Sequence, residues 1–135
     1  MRPWTGLALM LYGAIGWAYD DEMVAKALAN CSANQMTLNI CSWHRAELAE
    51  QEMLQTYARL RSQVLGTPAL AALESAQAHW LTYRASECRY RISGLTPDGS
   101  MVAQWRDDCR RTATEARTLE LRKHLECVSQ GCPGR

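Results

Sequence analysis

Cys41 and His44 stand three residues apart, a spacing that sets a thiol and an imidazole on one face of a helix. A thiolate–imidazole pair is one composition from which a covalent nucleophile is made. Glu47, Glu50 and Glu52 follow at once and are of the type a general base requires. Zinc coordination would draw on Cys41, His44, His79 and His124. Neither chemistry closes. The cysteine has a natural disulfide partner nearby in the chain, and no orienting group or oxyanion donor accompanies the pair. The histidines lack the paired spacing of metal ligands, and three acids on a solvated helix are ordinary. The chain is therefore expected to be non-enzymatic, with no catalytic residue, metal or cofactor.

The N-terminus bears on the compartment and so on the cysteines. A single cation, Arg2, precedes an uncharged stretch from Pro3 to Tyr19, followed by Asp20, Asp21 and Glu22. Gly16 and Ala18 supply the small residues that signal peptidase accepts, so residues 1–18 read as a signal peptide cleaved before Tyr19. An uncleaved anchor is the alternative, since the stretch is close to the shortest length that spans a bilayer. Pro3, Gly6, Gly13 and Gly16 weaken such a helix, and no basic flank follows it. Export to the periplasm or medium is expected, with no stable membrane insertion after cleavage. Loss of Arg2 takes the formal charge from +1 to 0, which leaves no electrostatic case for nucleic acid or an anionic membrane. In an exported chain, six cysteines read as disulfides rather than metal or redox chemistry.

Strand signals are missing and helical periodicity is strong. A short helix is expected over about 21–30. A long one covers about 37–65, with Ala46, Ala49, Met53, Tyr57, Leu60 and Val64 inward and Gly66 as its stop. Thr67 and Pro68 open a second long helix as N-cap and first residue; it runs to about Ile92 with Leu73, Ala76, Trp80 and Tyr83 inward and Tyr90 as a further candidate. "SGLTPDGS", residues 93–100, breaks the pattern with Gly94, Pro97 and Gly99. Ser100 caps a third long helix to about Leu125, with Val102, Trp105, Thr112, Ala116 and Leu119 along one side. Short connections between helices require antiparallel neighbours. The fold expected is an all-α, disulfide-linked antiparallel bundle of three long helices and one short N-terminal helix. Its helical domain would cover residues 19–126, and residues 127–135 would form a pinned tail.

Counting alone leaves many cysteine pairings open. Antiparallel packing brings Cys88 near Cys109 across the 94–99 turn, and Cys31 and Cys41 flank the bend before the first long helix. Cys127 and Cys132 remain to pin the tail. Trp80 and Tyr83 share helical spacing with Leu73 and Ala76 and read as core. Arg84, beside that stripe, either snorkels out or pairs with an inward acid such as Glu50; the structural role is favoured.

The ordered motifs carry a resemblance. "CSANQMTLNIC" (31–41) precedes Glu50, Met53 and Tyr57, and "LESAQAHWLTYRASEC" (73–88) fits L-x3-Q-x2-W-x2-Y-R-x3-C through Gln77, Trp80, Tyr83, Arg84 and Cys88. "DGS" at 98–100, Cys109, Thr114, Arg117 and Leu121 complete the set. Over about residues 31–121 the chain resembles the DUF1311 family, the lysozyme inhibitor LprI-like N-terminal domain. The resemblance implies an exported helical domain with Cys31–Cys41 and Cys88–Cys109 bonded, and a protein partner, lysozyme. Glu50 replaces the more usual Asp, the Cys127/Cys132 tail is extra, and the first cysteine, Cys31, is too far along for lipid attachment.

Two binding functions follow. A lysozyme inhibitor presents an acidic face or inserts a loop into the catalytic cleft; the polar loop with Thr96, Asp98, Gly99 and Ser100 is the candidate contact, against a plain helix connector. An envelope structural or assembly factor presents an apolar helix face instead, with Trp43 or Trp105 on it. Processing is directly testable: the intact mass of exported protein should begin at or near Tyr19, and full-length chain in the membrane fraction would contradict the signal assignment.

Overall fold

The computed structural model describes residues 19–131. The segment read as a signal peptide, and residues 132–135 with Cys132, lie outside the described residues. Four helices follow one another: α1 (Asp21–Ala29), α2 (Gln35–Gln63), α3 (Ala69–Arg91) and α4 (Val102–Gln130). This is the all-α bundle of three long helices and one short one. The cysteine pairs Cys31–Cys41 and Cys88–Cys109 are bonded.

Local chemistry explains the helix starts. Asp20 accepts from the Met23 amide at 2.8 Å, and Asp21 and Glu22 sit where the helix dipole favours acids. At α2, Asn34 and Thr37 form a reciprocal capping box: the Asn34 side chain accepts from the Thr37 amide and the Thr37 hydroxyl accepts from the Asn34 amide. Two expected caps are not made. Thr67 donates its hydroxyl back to the Val64 carbonyl at 2.8 Å, and Pro68 occupies the N-cap position without a side-chain bond. Met101, not Ser100, stands before α4, also without a side-chain cap. Gly66, at φ +73°, lets the chain reverse after α2. α4 passes unbroken through residue 126, because no breaker interrupts it before Gly131 (φ +86°) and Leu125 and Val128 still have apolar surface to cover. Cys127 therefore lies in a helix rather than a tail; it is disulfide-bonded.

The three long helices run up, down and up. The start of α2 meets the start of α4, with Gln35 donating to Gln104 at 3.0 Å and Asn39 to the Ser100 carbonyl at 2.9 Å. Their far ends meet through Leu60 and Leu121. α2 and α4 are thus parallel and in contact along their length, and α3 lies antiparallel to both. Apolar packing is split. Ala27, Ile40 and Cys41, with Tyr19 and Val24 against them, join α1 to the start of α2. Met53, Leu60 and Leu121, with Tyr57, Leu73 and Trp80, fill the opposite end.

The α2 stripe lies inward as expected, with Ala46, Ala49, Met53, Leu60 and Val64 buried and Tyr57 half-buried. The stripes assigned to α3 and α4 require correction. Tyr83 is 60% exposed and Tyr90 74%, and Ala76 also faces out. Trp105 (51%) and Leu119 (53%) face solvent together with Thr112 and Ala116. Burial goes instead to Gln77 and Cys88 on α3, and to Asp107, Thr114, Arg117, Thr118 and Leu121 on α4. Hydrophobicity pointed to the wrong side because the buried face is polar. Its hydroxyls are satisfied within the helix: Thr114 donates to the Arg110 carbonyl at 2.7 Å and Thr118 to the Thr114 carbonyl at 2.9 Å.

A bundle with a divided apolar core depends on its staples. Cys88 and Cys109 are 21 positions apart, and in the chain-entropy model a loop of that size stabilises by about 3 kcal/mol. Replacing both with serine should lower the urea-unfolding free energy by that order without loss of helix content by circular dichroism.

Candidate functional site

Midway along the bundle, between the two apolar clusters, three helices meet around one arginine. Arg84 on α3 donates through Nη1 to Glu50 Oε2 of α2 at 2.5 Å and to Thr114 Oγ1 of α4 at 2.7 Å. Its Nη2 reaches Glu50 Oε1 at 3.3 Å, closing a two-pronged pair. The Arg84 guanidinium also lies 5.0 Å from the centre of the Trp80 ring, and that of Arg117 lies 5.8 Å from it. Two cations thus contact one indole. Arg117 Nε donates to Gln77 Oε1 at 3.1 Å, and Gln77 in turn donates to the Met53 sulfur at 3.6 Å.

Glu50, Gln77, Trp80, Arg84 and Arg117, singled out by motif, are therefore gathered in one interior network, and Tyr57 packs on the adjoining apolar cluster. Tyr83 is not among them. Gln77, Trp80, Arg84 and Cys88 recur at steps of three, four and four, and Thr114, Arg117 and Leu121 at three and four. Each set is one helix face. That spacing was the available signal for the true buried seam, and Asp107 and Thr118 are the buried residues of α4 that neither periodicity nor motif singled out.

The groups that suggested catalysis are otherwise engaged. Cys41 is buried in its disulfide with Cys31, so it offers no thiolate beside His44. His79 Nδ1 is 2.8 Å from the Ser75 carbonyl on the exposed side of α3. Each acid of the α2 cluster meets an arginine: Glu47 with Arg110 at 2.7 Å, Glu50 with Arg84, and Glu52 with Arg122. Among the described residues, no group of three or more histidine, cysteine or acidic side chains is placed to hold a metal ion.

A surface feature ordered by its own hydrogen bonds is the tip of the α3–α4 hairpin, residues 92–101. Thr96, Pro97, Asp98 and Gly99 form a tight turn in which the Gly99 amide donates to the Thr96 carbonyl at 2.8 Å. Proline second and glycine fourth suit such a turn. A Cβ on Gly99 would stand 3.0 Å from that carbonyl, so the close approach favours glycine. The Gly99 carbonyl then accepts from Val102, and the Ser100 carbonyl from Asn39, which ties the tip to α2. Thr96, Asp98, Gly99 and Ser100 all face solvent. Behind them, Ile92, Leu95 and exposed Trp105 line a shallow groove with Arg91. The Arg91 guanidinium is held above its ordinary pKa chiefly by its hydrogen bond to Glu87. No helix among the described residues is long and apolar enough to cross a membrane.

The central ion pair generates a stability prediction. The Arg84 and Glu50 side chains retain 13% and 22% exposure, so removing one partner strands a mostly buried charge. Arg84→Met or Glu50→Leu alone should cost about 3 kcal/mol. Arg84→Met combined with Glu50→Leu should cost clearly less than the two single losses added. Chemical denaturation in a double-mutant cycle checks this, and strict additivity would show that the pair is not coupled.

The family model described as lysozyme inhibitor LprI matches residues 28–121, which contain both described disulfides and every member of the polar network. An uncharacterized protein of Rhizobium meliloti (strain 1021) is 30% identical over 108 residues, covering 70% of this chain and 76% of its own length. No solved structure matches the chain. With its motif residues converging on one buried seam and the family model spanning most of the bundle, the chain belongs to the lysozyme inhibitor LprI family.

Proposed function

We propose that this chain is an exported, non-enzymatic binding protein that inhibits lysozyme, with the α3–α4 tip as its contact surface. Membership of a lysozyme-inhibitor family is the observation that carries the reading. Export fits the cysteine usage and the N-terminal segment read as a cleaved signal. The tip supports the contact assignment by its chemistry. A glycosidase cleft is a concave site flanked by two carboxyl groups, and a convex turn already ordered by its own hydrogen bonds enters such a site at reduced entropic cost. The Cys88–Cys109 bond at its base and the Asn39 tie limit the motion that binding must otherwise suppress.

A second reading, docking to another envelope protein, is favoured by one observation: Trp105 stands half in solvent beside Leu95 and Ile92. Trp43 supports it less, because Tyr19 packs edge-on against it at 5.3 Å.

A lysozyme turbidity assay separates the two. Wild-type protein should slow lysis, and a swap of residues 94–99 for a glycine–serine loop should weaken inhibition about tenfold or more, a loss comparable to one interface hot spot. Asp98→Ala should weaken it less while leaving stability within about 0.5 kcal/mol. Full inhibition by a folded loop swap would remove the tip as contact site. No inhibition by wild type would put the envelope-partner reading ahead.

A further inference from the structure

On the other side of the same hairpin, α3 and α4 enclose a groove of about 310 Å³. Its floor is Ala85, Cys88 and Ile92, and its walls carry four arginines: Arg84 and Arg89 from α3, Arg106 and Arg110 from α4. We infer that this groove is a binding site for a small organic anion, a phosphate or carboxylate on a short apolar body.

The charge balance points to an anion. Glu50 neutralises Arg84 and Glu47 meets Arg110. Buried Asp107 is shared between Arg106 at 3.1 Å and Arg110 at 3.6 Å. Four guanidiniums thus face three carboxylates. The excess charge rests on Arg89, which is exposed and forms no ion pair among the described residues. Arg106 spends its Nε and Nη2 on Asp107 and keeps Nη1 unengaged, with its side chain 55% exposed. Arg89 and Arg106 therefore present unspent N–H groups from two different helices to one groove, an arrangement suited to gripping an oxyanion from both sides. Arg84 and Arg110 are held in place by their acids and add positive field without having to move.

The floor accounts for the other half of the ligand. Apolar surface beneath a charged rim matches an amphiphilic molecule better than a bare ion, and the volume sits at the small end of ligand sites. The Cys88–Cys109 bond, with Cα atoms 5.7 Å apart, fixes the spacing of the two walls, so the groove is formed before anything binds. This inference is independent of lysozyme inhibition, and none of its tests involves lysozyme.

Titrating the full mature protein with phenyl phosphate, benzoate, inorganic phosphate and benzyl alcohol, followed by amide chemical shifts, tests it. Phenyl phosphate or benzoate should give saturable shifts confined to residues 84–92 and 106–110; which of the two binds more tightly identifies the headgroup. Arg89→Gln/Arg106→Gln, both at exposed positions, should keep its circular dichroism spectrum and bind the better probe about tenfold or more weakly. Binding by benzyl alcohol as tight as by the anions would overturn the anion assignment, and inorganic phosphate binding as tightly would overturn the apolar half. Absence of saturable shifts with both aromatic anions, or undiminished affinity in the double variant, would overturn the site.

Discussion

A guanidinium taken out of water must find acceptors, and Arg84 finds them on two other helices at once. Its fork is planar and its N–H directions are set, so pairing with Glu50 on α2 and Thr114 on α4 constrains α3 in rotation and in height relative to both. Trp80 and Arg117 extend the constraint by one turn, because the indole takes a cation from each of two helices. An apolar layer of the same volume would hold the helices together as well or better. It would tolerate sliding, which a two-pronged ion pair does not. The most economical account of this buried polar layer is that it sets register.

The register has a cost in apolar burial, and the remaining architecture offsets it. The hydrophobic packing is divided between the α1–α2 junction and the far end of the bundle, and α3 buries only Gln77 and Cys88 fully. Two covalent links reinforce this arrangement, one within the α1–α2 cluster and one where burial is thinnest. Cys31–Cys41 closes α1 onto α2, and Cys88–Cys109 holds the lightly packed α3 against α4. Alanine-rich α3 supplies helix propensity of its own, which suits an element with few buried contacts.

The same α3–α4 clamp orders both surface features to which binding is assigned by proposal. The turn at Thr96–Gly99 and the arginine-walled groove lie on one hairpin, and neither needs a conformational change to form. A rigid presenting surface is what a binding protein of this size requires, since ordering on contact subtracts directly from affinity.

By sequence alone, the helical class, the helix order, the α2 stripe and the two described disulfides were legible, because 3.6-residue periodicity, turn chemistry and loop length are local properties. The pairing of Arg84 with Glu50 was named as one of two choices, and the motif set marked the residues that meet. Which face of α3 and α4 is buried was not legible from hydrophobicity. Tyr83, Trp105 and Leu119 look like core residues, and Gln77, Asp107 and Arg117 look like surface; the structure reverses all six. A charged side chain is buried only when its partners are in place, and those partners come from segments that are distant in sequence, Glu50 for Arg84 and Gln77 for Arg117. The same holds for the groove. Four arginines spread over 84–110 form one site only because the hairpin folds them together, and the charge left on Arg89 is defined only once every other carboxylate has been assigned.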